Sequence, residues 1–130
     1  MSAELQVLAL VSLWGIVVLY IASAGRLRVG GVGWGLGNRE NDPVFPAWVG
    51  RAERAYRNHA ENWPLYVGAA LALHLSGRAT ETTALAAWVF LGARIAHTGL
   101  YVAGVTVART AAYYVSLGAL GLMYLRALSG

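Results

Sequence analysis

The sequence predicts an all-α integral membrane protein, a bundle of four transmembrane helices in a single domain spanning residues 1–130. Three observations carry this. Hydrophobic residues make up 58% of the chain and charged residues only 12%, about half the charged share of an ordinary soluble domain. Mean hydropathy is +0.53. The apolar residues also fall in runs of membrane-crossing length, separated by short polar or glycine-rich stretches.

The run Leu5–Ala24 holds twenty residues without a charge, enough to cross a hydrocarbon core of about 30 Å. No positive segment precedes it, so it reads as a retained helix over about 4–24 rather than a cleaved signal. Gly25–Pro46 reads as a loop, with Arg26, Arg28, Arg39, Glu40, Asp42 and the glycine-dense stretch Gly30–Gly37. That stretch does not fit a phosphate-binding fingerprint: the spacing is wrong and no lysine follows. A second helix is expected over 47–76, charged in its first half, apolar from Trp63 onward, and closed by Gly77. Thr80 is the expected N-cap of a third helix over 81–107. Arg109 marks the next turn, and a fourth helix covers 110–126.

All ten basic residues are arginine, and cysteine is absent. Without cysteine there is no disulfide, no thiolate metal site and no protein thiol nucleophile. The net charge of +4 does not point to nucleic acid, because so apolar a chain has no polar surface for a basic footprint. His59 and His74 lack a second ligand at metal spacing and read as interface or packing residues; no metal site is expected. The five tryptophans read as interfacial anchors or lipid-facing packing.

Four helices put both termini on one side of the membrane. Arg26, Arg28, Arg39, Arg51, Arg54, Arg57 and Arg109 gather on the other side, against Arg78 and Arg126 at the terminal side. The positive-inside rule then orients the arginine-rich side toward the cytoplasm. Compactness and arginine-only basicity favour a bacterial inner membrane.

Charges within membrane helices are expensive and mark function or internal pairing. At about 100° per residue, Arg51, Arg54, Asn58 and Glu61 form one stripe on the second helix, with Arg57 at its flank. Arg94, His97 and Tyr101 form another on the third. The stripes are expected to face each other, with Glu61 pairing Arg94. One reading is structural, with the charges holding the bundle together. Arginines, however, outnumber carboxylates near this end, and a surplus of positive charge in a partly dehydrated pocket suits an anionic ligand. Glu61 and Asn58 would receive an amine and a peptide-like backbone, so the site suits a small zwitterion with more than one carboxylate.

The segment Gly50–Tyr66, GRAERAYRNHAENWPLY, resembles the signature of the MAPEG family, membrane-associated proteins in eicosanoid and glutathione metabolism. The pattern R-x-x-R-A-x-x-N-x-x-E is met by Arg51, Arg54, Ala55, Asn58 and Glu61. Looser matches follow in order: Arg26-Leu27-Arg28, then Arg94, His97 and Tyr101, then Arg109-Thr110. The resemblance implies a homotrimer in the lipid bilayer that binds glutathione between protomers, near the cytoplasmic side. Arg26, Arg54, Arg57, Asn58, Glu61, His97 and Tyr101 would bind or frame glutathione, with Arg94 in the same polar network. Arg109 would be the catalytic residue that stabilises the glutathione thiolate, and a hydrophobic small-molecule substrate would enter from the lipid. Two positions depart from a family enzyme, with Tyr56 for histidine and Thr110 for serine, and the turn before Arg109 is one residue shorter. The expected function is a glutathione-dependent transferase or peroxidase acting on a lipophilic electrophile. The alternative is a non-catalytic lipid-binding or scaffold member of the same architecture. A transporter fits less well, because the polar stripes cluster at one end.

Overall fold

A computed structural model describes residues 1–129 as four helices: α1 (Ala3–Leu36), α2 (Ala47–Leu75), α3 (Glu81–Ala103) and α4 (Thr106–Leu128). At about 1.5 Å per residue the shortest of them reaches about 35 Å. α1, α3 and α4 are each long and apolar enough to cross a membrane. α2 is long enough too, but Arg51, Glu53, Arg54, Arg57 and Glu61 in its first half lower its hydropathy.

Successive helices run antiparallel. The Tyr66 hydroxyl donates to the Glu4 carbonyl at 3.1 Å, while Arg26, at the other end of α1, meets Glu53 near the start of α2. Arg94 of α3 reaches Asn58 of α2, and Arg78 donates to the Ala127 carbonyl at 2.6 Å. α2 and α3 lie between the outer helices, and α1 and α4 do not touch among the described residues. The core is built from Val7, Val11, Tyr66, Leu73, Phe90 and Met123 with many alanines between them. Small residues let the helix backbones approach closely, which is what drives packing where lipid is as apolar as the core. Leu13, Ile16, Tyr20, Leu85 and Leu125 stay exposed on the outside, as a lipid-facing surface requires.

The caps follow the sequence closely. Thr80 and Thr83 form a capping box at the start of α3, satisfying two orphan backbone donors at once. Gly77 closes α2 at φ 67°, with Gly77 N–H donating to His74 O and Arg78 N–H to Leu73 O. The same arrangement closes α3 earlier than expected, at Ala103 rather than 107. Gly104 takes φ 83°, and Val105 N–H reaches back to Leu100 O at 2.9 Å. A left-handed residue at this position is strongly favoured by glycine. α4 then starts at Thr106, so Arg109 lies inside its first turns and not in the connecting turn.

The expected loop at Gly25–Pro46 is partly helix. α1 continues to Leu36 through a kink at Gly31, whose φ of 80° and ψ of 165° are open essentially to glycine alone. Each helical glycine costs about 1 kcal/mol relative to alanine, which is why this stretch reads as loop. Tertiary contacts supply what propensity lacks. Trp34 meets Phe45 edge-on at 5.5 Å, its indole N–H donates to the Asn41 carbonyl, and both Arg26 and Arg39 stack on its ring.

Candidate functional site

The polar residues of the α1–α2 and α3–α4 connections end up at one end of the bundle, but not in one pocket. They form two groups on different sides of α2.

The first group lines a cleft of about 550 Å³ between α1, its kinked extension and α2. Arg26, Arg39 and Arg57 contribute guanidinium groups, with Glu53, Tyr56 and Trp34 beside them. Arg26 donates to Glu53 Oε1 at 2.7 Å and lies 3.5 Å from Asp42 Oδ1. Arg39 donates to the Gly35 carbonyl through Nε and Nη2. Arg57 is exposed and, like Arg54, forms no ion pair among the described residues. A second, apolar groove of about 380 Å³ adjoins this cleft along the same pair of helices. It is lined by Ser12, Gly15, Ile16, His59 and Trp63, and shares Leu19, Tyr56 and Ala60 with the cleft.

The second group lies among α2, α3 and α4. Arg94 is completely buried and donates from Nη2 to Asn58 Oδ1 at 2.7 Å. Its Nε and Nη1 have no partner among the described residues. His97, one turn on, is also buried and packs against Tyr101 at 5.4 Å and Tyr113 at 6.0 Å between ring centroids. The Arg109 guanidinium lies over the Tyr101 ring at 4.2 Å from its centroid, a contact that fixes its direction by the attraction of the cation for the ring face. Arg51 donates from Nε to the Val102 carbonyl at 2.9 Å, capping the end of α3.

The two stripes therefore meet only along one edge. Arg51 and Asn58 face α3, whereas Arg54 and Glu61 are exposed on the outer face of the bundle. The expected Glu61–Arg94 ion pair is absent. Glu61 sits about 60° around the helix from Asn58, and that angle carries it out of reach while the shorter amide of Asn58 takes the guanidinium. His59 is buried with Nε2 3.2 Å from the Val11 carbonyl, a packing residue at the α1–α2 contact. His74 is exposed on the apolar half of α2.

Some neighbours of these residues were not foreseen. Tyr113 follows Arg109 by four residues, so it occupies the same helix face and was readable from spacing. Trp34 and Arg39 reach the cleft through the kink at Gly31, whereas Glu53 reaches it from the second turn of α2.

The pattern of conserved features that defines the MAPEG family matches residues 5–129, covering all four helices. The chain belongs to the MAPEG family. No curated protein matches it. Membership together with three candidate spans makes this an integral membrane protein of that family. Within the family frame, Arg26 and Arg57 lie on the α1–α2 side of the protomer. Asn58, Arg94, His97, Tyr101 and Arg109 lie on the α2–α3–α4 side, and Arg54 and Glu61 on the exposed face of α2.

Proposed function

We propose that this MAPEG protein is a glutathione-dependent transferase or peroxidase that acts on a lipophilic electrophile, assembled as a homotrimer with its arginine-rich end toward the cytoplasm. The observation that carries the proposal is the unanswered positive charge at that end. Arg54, Arg57 and Arg109 have no carboxylate partner among the described residues, and Arg94 is fully buried with an amide as its one protein partner. Burying a guanidinium without a counter-charge is costly, and a tripeptide with two carboxylates would balance it. Guanidinium forks suit carboxylates in bidentate geometry, so Arg26, Arg54 and Arg57 are the residues to hold them. Glu61 suits the ligand's ammonium group and Asn58 its amides. His97 and Tyr101 would frame the site, and Arg94 would hold Asn58 in place.

A protomer by itself leaves these groups apart on two sides of α2, and it leaves Arg54 and Glu61 facing outward from a membrane bundle. Both problems are solved if a second copy covers that face, bringing the α1–α2 cleft of one protomer toward the α3–α4 side of the next. This reasoning supports the homotrimer that the family resemblance implies.

Arg109 has the chemistry of a thiolate stabiliser. It projects from the first turns of α4, where the helix end is itself partly positive, and Tyr101 holds its guanidinium in place. A thiol with a pKa near about 8.5 ionises more readily beside a cation, and the thiolate is the nucleophile. In the transfer step the thiolate forms a carbon–sulfur bond, and the electron pair of the broken bond leaves with the displaced group. In the peroxidase variant it attacks the peroxide oxygen, the O–O bond breaks and the alkoxide leaves as the alcohol; a second glutathione thiol then displaces water from the resulting sulfenic acid, giving glutathione disulfide. The apolar groove that shares Leu19, Tyr56 and Ala60 with the cleft offers a lipophilic substrate an approach from the lipid. That groove also favours the second reading, a lipid-binding or scaffold protein without turnover.

Activity in liposomes separates the two. Conjugation of a lipophilic aryl halide with glutathione is expected in the wild type. Arg109→Ala should retain glutathione binding and lose at least about 100-fold in turnover, the usual scale for removing one charge-stabilising group. Glutathione binding in the wild type with no turnover on electrophiles or hydroperoxides would establish the non-catalytic reading.

A further inference from the structure

Arg26 stands at the mouth of the basic cleft, but both ends of its guanidinium are already engaged by acids of the same chain. Nη1 donates to Glu53 Oε1 at 2.7 Å, and Nη2 lies 3.5 Å from Asp42 Oδ1. The flat guanidinium is also stacked, with its central carbon 5.3 Å from the Trp34 ring centroid and 5.2 Å from that of Phe45. Its Nε is buried without a partner among the described residues. Arg57 in the same cleft forms no ion pair among the described residues. One cation of the cleft is thus spoken for from within the chain, and its neighbour is open.

A ligand carboxylate binds a guanidinium best through two parallel hydrogen bonds. At Arg26 it meets Glu53 and Asp42 already on Nη1 and Nη2 and must compete with them. The side chains of Glu53 and Asp42 are 36% and 58% exposed, so water can receive either one on release. Asp42 belongs to the segment between α1 and α2 that Phe45 and Trp34 also tie to Arg26. The pairs therefore join three things: the cation, the helix that carries Glu53, and the connection that borders the cleft.

We infer that Glu53 is a built-in competitor for the anionic ligand of this cleft, holding Arg26 in an ion pair that a ligand carboxylate must displace, while Asp42 latches residues 37–46 to the same Arg26 until it does. The inference rests on the glutathione reading above for the identity of the ligand, while the pairing that motivates it is made within the chain itself. Its consequence is a ligand affinity set below what the arginines would give, and a connection that loosens as the ligand binds.

The test compares the detergent-solubilised wild type with Glu53→Gln, which keeps the shape and the acceptor and removes the charge. Calorimetric titration with glutathione should give a Kd about two- to fivefold lower in the variant, the upper part of the range expected for a partly exposed ion pair. Asp42→Asn should shift Kd the same way by less, since that pair is longer and more exposed. The diethyl ester of glutathione, which lacks both carboxylates, should bind wild type and variant alike. Amide exchange at residues 37–46 should be faster in Asp42→Asn, with exchange in the cores of α2, α3 and α4 unchanged.

Equal or weaker glutathione binding by Glu53→Gln would overturn the competitor and assign Glu53 to holding Arg26 in position. An equal gain for the ester would also overturn it, because no carboxylate would then be competing. Unchanged exchange at 37–46 would overturn the latch. Absence of glutathione binding in both proteins would instead remove the glutathione reading itself, and the competitor with it.

Discussion

Arg94 is the residue whose environment asks most of the rest of the protein. It has no exposed surface, and among the described residues its guanidinium makes one hydrogen bond, to Asn58. A hydrogen bond to a charged group is worth about 1.5–3 kcal/mol, and stranding the charged partner costs at least as much. Asn58→Ala should therefore lower the unfolding free energy by about that amount, read as a fall in the thermal midpoint in detergent. Replacing both residues by leucine should recover much of the loss, because an apolar pair of similar shape carries no unpaired charge. A double variant as unstable as Asn58→Ala would mean that Arg94 is held by something other than Asn58. The sequence paired Arg94 with Glu61, whereas its guanidinium bonds Asn58. Glu61 and Asn58 both fall within the same stripe, and only the roll of α2 against α3 decides which one reaches Arg94.

At the scale of elements, α1 holds the two features the sequence showed least. Near its start, Glu4 is buried and accepts a hydrogen bond from the Thr83 hydroxyl, at the capping box of α3. The carboxylate thus lies at the positive ends of two helices, where an anion is favoured. Thr83→Val keeps the side-chain shape and removes the donor, and it should cost about 1.5–3 kcal/mol in a denaturant titration. A loss below about 0.5 kcal/mol would show that the helix ends alone satisfy Glu4. Near its end, α1 bends at Gly31, and Gly31→Ala places a side chain where the backbone is open essentially to glycine, at about 1–3 kcal/mol. We expect the strain to be relieved locally, with faster amide exchange over residues 32–45 and little change in α3 and α4. Uniform loss of protection would show instead that the kink is part of the cooperative core. The four-helix pattern and the caps at Thr80 and Gly77 were legible because they depend on local chemistry, apolar runs and cap residues. The kink was not, because it depends on Trp34, Phe45 and Arg26 meeting across residues that a glycine-rich sequence gives no reason to order.

At the scale of the whole molecule, the arginine-rich end and the family were readable, since both follow from charge position and from the Gly50–Tyr66 pattern. The distribution of site residues over two sides of α2 was not. Stripes computed on separate helices carry no information about which edge of each touches its neighbour. That distribution makes assembly the next question. Native mass spectrometry from mild detergent should show three copies of the chain, because Arg54 and Glu61 face outward and a lone protomer would expose them to lipid. A monomer that still binds glutathione would place the whole site within one chain.

The central claim is that the unpartnered arginines form a site for an anionic thiol peptide, and a thermal-shift titration tests it most directly. A ligand that binds only the folded protein stabilises it by RT ln(1 + L/Kd), where L is the free ligand concentration, or about 2.7 kcal/mol at a hundred times Kd. Titrating glutathione into the purified protein should raise the melting temperature steadily with concentration, and Arg57→Ala should shift the curve to higher glutathione. A melting temperature that stays fixed at millimolar glutathione, in a protein that is folded by circular dichroism, would contradict the account.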